Sequence, residues 1–252
     1  MEKIIKEKLV EIEVRNNIRI LYACESGSRA WGFPSANSDY DVRFIYIHSR
    51  DRYLSIDNPP SHLTLPRDEE LDLLGWDLKR TLQLVRKSNT TPFEWLQSSI
   101  VYQQNERVAE MLWQLCRQYF NARGNIFHYL GIAKSALQSA EGQQIGIKKL
   151  FYVIRPLLCA KWCLEKKQIA PIEIEPMIKL LSDELSEKIT TLISYKSVTA
   201  ESFSVTIDPV IYEFIEKTKN DIFSKVQLLT ERRFKTQPLD DFFIETLQYL
   251  DR

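Results

Sequence analysis

The chain has 252 residues, 44% apolar and 11% aromatic, enough to bury a core as one large domain or two modest ones and too apolar for a disordered chain. Its charges cancel, 34 Lys plus Arg against 34 Asp plus Glu, so no global cationic field marks a nucleic acid or an anionic membrane as partner, and any anion site has to be local. No run approaches the roughly 20 apolar residues of a spanning helix, and MEKIIKEKLV carries charges where a signal peptide needs an apolar region, so a soluble, cytoplasmic protein with no membrane partner is expected.

In chain order, residues 2–17 place Ile4, Ile5, Leu9, Ile12 and Val14 at a mostly helical rhythm. IRILYACE (18–25) has the length and flanks of a buried strand and runs into the turn region GSRAWGFPSANS. DYDVRFIYI (39–47) alternates with the period of two that marks a second strand. After a loop around Asp57 to Pro60, ELDLLGW (70–76) reads as a third strand, and Asp77 as the N-cap of a helix through LKRTLQLVRKS. PFEWLQSSI (92–100) and residues 105–119 continue helically and close a first lobe near residue 120. From Ala122 onward four segments show helical spacing, with one strand-like stretch at 198–207, and Pro156 is expected to bend the helix that contains it. Cys24, Cys116, Cys159 and Cys163 form no CxxC pair and have no His at ligand spacing, which reads as four reduced core residues.

The stretch that carries chemistry is Gly27-Ser28 followed, after ten intervening residues, by Asp39-Tyr40-Asp41. At i and i+2 of a strand both carboxylates leave the same face, about 7 Å apart at the backbone. From that spacing they can bridge two divalent cations about 4 Å apart, the arrangement that stabilises the attacking and leaving oxygens in phosphoryl transfer. Oxygen ligands favour Mg²⁺ or Mn²⁺. Gly27-Ser28 offers bare N–H groups and a hydroxyl to phosphate oxygens, and Arg29 adds a local cation. A Gly-Ser turn or an Asp-x-Asp alone is ordinary. Together they are not, because two like charges on one face of a strand as apolar as VRFIYI repel unless a cation joins them.

ESGSRAWGFPSANSDYDVRFIYI resembles the signature of the DNA polymerase β nucleotidyltransferase superfamily, and within it the nucleotidyltransferases associated with RNA ligases, the RlaP family. The resemblance extends through residues 75–102 and 148–162 and covers most of the chain to about residue 180. It implies an α+β fold, with a polymerase β-like lobe over 1–120 and a helical lobe over 121–252. It also implies two Mg²⁺ or Mn²⁺ ions, an NTP donor, and release of pyrophosphate. By motif position Gly27 and Ser28 would hold the triphosphate and Asp39 and Asp41 the metals. The superfamily's third carboxylate falls on Asp72 by strand phasing, with Asp77 and Glu70 as the alternatives.

Further candidates are Lys149, Tyr152 and Arg155, at i, i+3 and i+6 of one helix, as a nucleotide-facing row, with Arg155 preferred because a guanidinium suits phosphate oxygens. The bland alternative is an amphipathic face with snorkelling bases. Arg43 shares the face of Asp39 and Asp41, placed to neutralise them or to touch phosphate. Glu25 reads as a solvated strand end, Trp31, Trp76 and Trp95 as core, and His48, His62 and His128 as without chemistry. The expected function is metal-dependent transfer of a nucleotide to an acceptor hydroxyl, an RNA end favoured, with an RNA ligase as possible partner. The alternatives are transfer to a protein or small molecule, a non-catalytic NTP-binding module, or an antitoxin-like interaction protein.

Overall fold

The structure is a computed structural model that describes residues 1–66, 70–138, 140, 144–199 and 203–250. In chain order the elements are α1 (Glu2–Asn16), β1 (Ile18–Glu25), α2 (Gly27–Ala30), β2 (Tyr40–His48), α3 (Arg50–Leu54), β3 (His62–Thr64), β4 (Leu71–Asp77), α4 (Leu78–Arg86), α5 (Thr90–Trp95), β5 (Val101–Gln104) and α6 (Glu106–Gln118). There follow α7 (Ala122–Leu137), β6 (Gln144–Gly146), α8 (Ile147–Lys166), α9 (Glu175–Ile178), α10 (Asp183–Val198), β7 (Ser204–Thr206), α11 (Pro209–Val226) and α12 (Gln237–Leu250). This is an α+β protein in which a five-stranded mixed sheet is followed by a helical region.

The chain divides into two compact units: Met1–Gly27 with Asp39–Tyr119 and Arg233–Arg252, and Ser28–Ser38 with Phe120–Arg232. The chain therefore crosses between units at 27/28 and 38/39, inside the segment that carries the chemistry, as well as at 119/120 and 232/233.

The first unit holds the sheet, in the order β3-β4-β2-β1-β5, with β2 and β4 parallel and the other pairs antiparallel. Val42, Phe44 and Tyr46 leave one face of β2 and pack with Ile5, Leu9 and Ile12 of α1, the stripe that the helical rhythm marks. The opposite face of β2 carries Asp41 and Arg43. Asp77 caps α4, its carboxylate accepting the Lys79 N–H at 2.8 Å. α12 belongs here too: Glu245 pairs with Arg107 of α6 at 2.5 Å, and Phe243 meets Tyr53 edge to face at 5.1 Å.

The second unit is built on α8, whose Leu150, Ile154, Leu157 and Cys163 lie in a core shared with α7 and α11. α8 runs through Pro156 without interruption. All four cysteines are buried. No helix among the described residues is long and apolar enough to cross a membrane.

β1, β2, β4 and α4 lie within a residue or so of where the patterns place them. β3, β5 and β6, of three or four residues each, were not expected, being too short to show a period. The helix expected over 92–100 stops at Trp95, and its last residues lead into β5. Of the strand expected over 198–207, only Ser204–Thr206 is strand, Val198 ends α10, and residues 200–202 lie outside the described residues.

His48 ends β2 buried, its Nε2 without a hydrogen-bond partner among the described residues. Burial lowers its pKa, with the Arg52 charge in the same direction, against a smaller opposing pull from Asp77 and the Pro60 backbone. An imidazole held neutral contributes stability that is fully present above the unfolded value of about 6.5 and is lost as pH falls through the folded value. Urea unfolding is accordingly expected to lose stability on acidification below that value, and to lose less of it in His48→Gln. Equal pH slopes in the two proteins would contradict this assignment.

Candidate active site

The site starts at the end of β1. Glu25 is fully buried and not the solvated strand end its flanks suggest. Its N–H donates to the Ile100 carbonyl at 2.9 Å, and its carbonyl accepts the Ser98 hydroxyl at 2.7 Å. Its carboxylate accepts the Asp41 N–H at 2.8 Å and the Tyr102 hydroxyl at 2.5 Å. The burial comes from β5, whose Val101 lies beside Cys24 and whose Tyr102 supplies that hydroxyl. One residue on, the Ser26 N–H donates to the Asp41 carbonyl at 2.8 Å. The end of β1 thus grips the backbone of Asp41 on both sides.

Gly27 follows with φ +62, and a Cβ there would lie 2.2 Å from Asp41 Oδ2. The bare Cα lets the carboxylate lie against the turn, and the left-handed backbone suits glycine. Asp41 in turn stands beside Asp72, its register partner across the parallel β2–β4 pair. Arg43 joins them: its Nη2 is 3.0 Å from Asp41 Oδ1 and 2.9 Å from Asp72 Oδ2, and its Nη1 donates to the Asp72 carbonyl at 3.0 Å. The carboxylates are about one-third exposed, at 33% and 31%, against 15% for the guanidinium, so both are open to solvent.

Of the three candidates for the added carboxylate, Asp72 is the one whose register places it next to Asp41. Asp77 pairs in register with Tyr46, farther along β2, and is occupied as the α4 cap and as acceptor of the Tyr53 hydroxyl at 2.5 Å. Burial raises its pKa. Glu70 precedes β4, where its carbonyl accepts the Tyr40 N–H at 2.8 Å. Asp39 lies one residue before β2 and not within it, as the alternation had suggested. Among the described residues no group of three or more His, Cys, Asp or Glu stands in a metal-holding array. What the structure does bring together is two carboxylates around one cationic group, a donor set of hard oxygens.

In the second unit, Ser28 begins a loop closed on itself. Its hydroxyl donates to Ser38 Oγ at 3.1 Å, its carbonyl accepts the Phe33 N–H at 3.1 Å, and Arg29 donates to the Ser38 carbonyl at 2.8 Å. Arg155 belongs to the support of this loop. It is 3% exposed, donates to the Ile172 carbonyl at 2.9 and 3.3 Å, and lies 4.5 Å over the Trp31 ring. Tyr152 also meets this cluster, its ring in a T-shaped contact with Trp31 at 5.4 Å. Tyr152 and Lys149 also line a cleft of about 560 Å³ with Phe127, His128 and Ser135. The row of three is therefore split, Arg155 buried under the loop and Lys149 and Tyr152 at an open cleft.

Two residues escaped sequence reasoning. The burial of Glu25 has no local signal, since nothing in its neighbourhood announces β5. Lys196 was not singled out, although it continues the buried stripe of α10 set by Leu185 and Ile189, and a lysine on an apolar stripe is a readable signal.

A family model described as the RNA repair pathway DNA polymerase beta family, RlaP, matches residues 1–245. The chain is also similar to a Bacillus subtilis (strain 168) protein named uncharacterized protein YcgL, with 36% identity over 253 residues, 98% of this chain and 97% of the relative.

Proposed function

We propose that this chain, which belongs to the RNA repair pathway DNA polymerase beta family, is a metal-dependent nucleotidyltransferase that moves a nucleotide from an NTP to an acceptor hydroxyl. The observation that carries the reading is the Asp41–Asp72 register pair, opened to solvent beside the bare Cα of Gly27. Two adjacent carboxylates repel, and the structure invests Arg43, Gly27 and Glu25 in holding one of them there.

In this reading Asp41 and Asp72, joined by Asp39 from the residue before β2, would hold two Mg²⁺ or Mn²⁺ ions, which would neutralise the triphosphate and favour ionisation of the acceptor hydroxyl. Gly27 and Ser28 bind phosphate oxygens through N–H and hydroxyl groups, with Arg29 as a nearby cation. The acceptor oxygen forms a bond to the α-phosphorus as the α–β anhydride bond breaks. Pyrophosphate leaves, and the hydroxyl proton passes to a carboxylate of the site or to water. The family's RNA repair context points to an RNA end as acceptor. A cytoplasmic location is part of the same proposal, and four buried cysteine thiols suit a reducing compartment.

The test is pyrophosphate release. It is expected with an NTP, RNA ends and Mg²⁺ or Mn²⁺ together, and not when the metal is chelated. Release that continues in EDTA would contradict the reading. Arg43 gives a second check, because its guanidinium occupies the position between the two carboxylates. Arg43→Gln removes the competing cation and is expected to tighten Mn²⁺ binding by about three- to tenfold. Mn²⁺ titration followed by electron paramagnetic resonance reads this, and weaker binding in the variant would show that Arg43 assists the ion.

A further inference from the structure

The Ser28 hydroxyl is the outer end of a buried polar chain. Ser28 Oγ lies 3.1 Å from Ser38 Oγ, the Ser38 and Ser35 hydroxyls are 2.9 Å apart with either able to donate, and Lys196 Nζ donates to Ser35 Oγ at 3.3 Å. Lys196 also donates to the Phe33 carbonyl at 3.0 Å and lies 5.5 Å over the Phe33 ring. Ser35, Ser38 and Lys196 are all buried, at 5%, 6% and 2% exposure. An ammonium at that depth is costly, so packing alone does not account for a lysine where the helix stripe is otherwise apolar.

An ammonium group only donates, so Ser35 Oγ must accept from it and is left with its own proton to give. Ser38 Oγ already accepts the Ser35 N–H at 2.9 Å. If it also takes the Ser35 hydroxyl proton, both its lone pairs are filled, and the Ser28 proton is displaced toward an outside acceptor. In the structure Ser28 donates inward to Ser38. Lys196 takes one of the two acceptor sites of Ser35 Oγ, and so would favour the arrangement in which Ser35 donates to Ser38 and the Ser28 proton can turn to an anionic oxygen.

We propose that Lys196 is a positioning residue for the triphosphate: through Ser35 and Ser38 it sets the Ser28 hydroxyl to donate to a phosphate oxygen. This rests on the reading of Gly27-Ser28 as the phosphate-binding turn. Arg155, over the Trp31 ring, and Lys196, over the Phe33 ring, then both secure the same loop.

The experiment is calorimetric binding of the tightest of the four common NTPs, with Mg²⁺, to the full chain. It compares wild type, Ser28→Ala, Ser38→Ala, Lys196→Met and the Ser28→Ala/Lys196→Met double variant. Ser38→Ala and Lys196→Met are each expected to weaken binding by about tenfold. The double variant should bind no more weakly than Ser28→Ala, because Lys196 acts through that hydroxyl. Mn²⁺ affinity without nucleotide should be the same in all five proteins, a result that a general loosening of the fold would not give. Wild-type affinity in Ser38→Ala, or losses at Ser28 and Lys196 that multiply, would overturn the proposal. Ser38→Ala carries the test if Lys196→Met does not fold. If the wild-type chain binds none of the four NTPs, the phosphate-turn reading itself falls, and Lys196 with it.

Discussion

Asp41→Asn is expected to lower nucleotidyl transfer by about a thousandfold or more while leaving the protein folded. The substitution keeps the shape and removes the charge, and the site depends on charge. The backbone of Asp41 remains held, since Glu25 accepts its N–H and Ser26 donates to its carbonyl whatever the side chain is. Arg43 keeps Asp72 as a partner, so no buried cation is stranded. Thermal unfolding should therefore move little, and upward if at all, because two neighbouring carboxylates become one. Asp72→Asn should behave alike. The double variant should be no worse than either single one, as expected of residues that act as a unit. Steady-state transfer with circular dichroism on the same samples checks all three, and activity within tenfold of wild type in Asp41→Asn would contradict the assignment.

Gly27→Ala is expected to be nearly as damaging, for a steric reason. The new methyl would lie 2.2 Å from Asp41 Oδ2 and 3.1 Å from its Cγ, closer than van der Waals contact allows, so the carboxylate has to leave its place. The backbone at φ +62 adds strain of about 1–2 kcal/mol for any L side chain. A carboxylate moved by about 1 Å forfeits about a hundredfold in rate. Gly32→Ala is the matched control: its φ of +89 brings comparable strain, but no atom lies within 4 Å of the added carbon. Both variants should lose stability, and only Gly27→Ala should lose transfer and Mn²⁺ affinity together. Equal losses of activity in the two would assign the effect to strain and not to Asp41.

The parts of the fold that were legible in the sequence are those with a strong local period. IRILYACE is apolar enough to be a central strand, DYDVRFIYI alternates, and Asp77 sits where a helix needs a cap. Asp72 reads as the third carboxylate because it lies inside the apparent strand LDLLGW while Asp77 sits at a helix cap, and in the structure Asp72 is the register partner of Asp41. What was not legible depends on partners far along the chain. Glu25 is buried because a four-residue strand some 75 positions later covers it. Arg155 looks like a phosphate ligand in VIRPLL, but a carbonyl and an indole ring brought by other segments already occupy it. The 28–38 loop and the 233–252 segment each pack with a unit that sequence order does not assign to them, since adjacency along the chain says nothing of which core a loop will enter.

The measurement that tests the central claim most directly is transfer of label from each of the four [α-³²P]NTPs to a mixture of small RNAs, with Mg²⁺ or Mn²⁺, by the wild-type chain and by Asp41→Asn. The account predicts labelled RNA and released unlabelled pyrophosphate with the wild type, neither when the metal is chelated, and neither with Asp41→Asn. Label transfer that persists in Asp41→Asn, or that proceeds without a divalent ion, would contradict it.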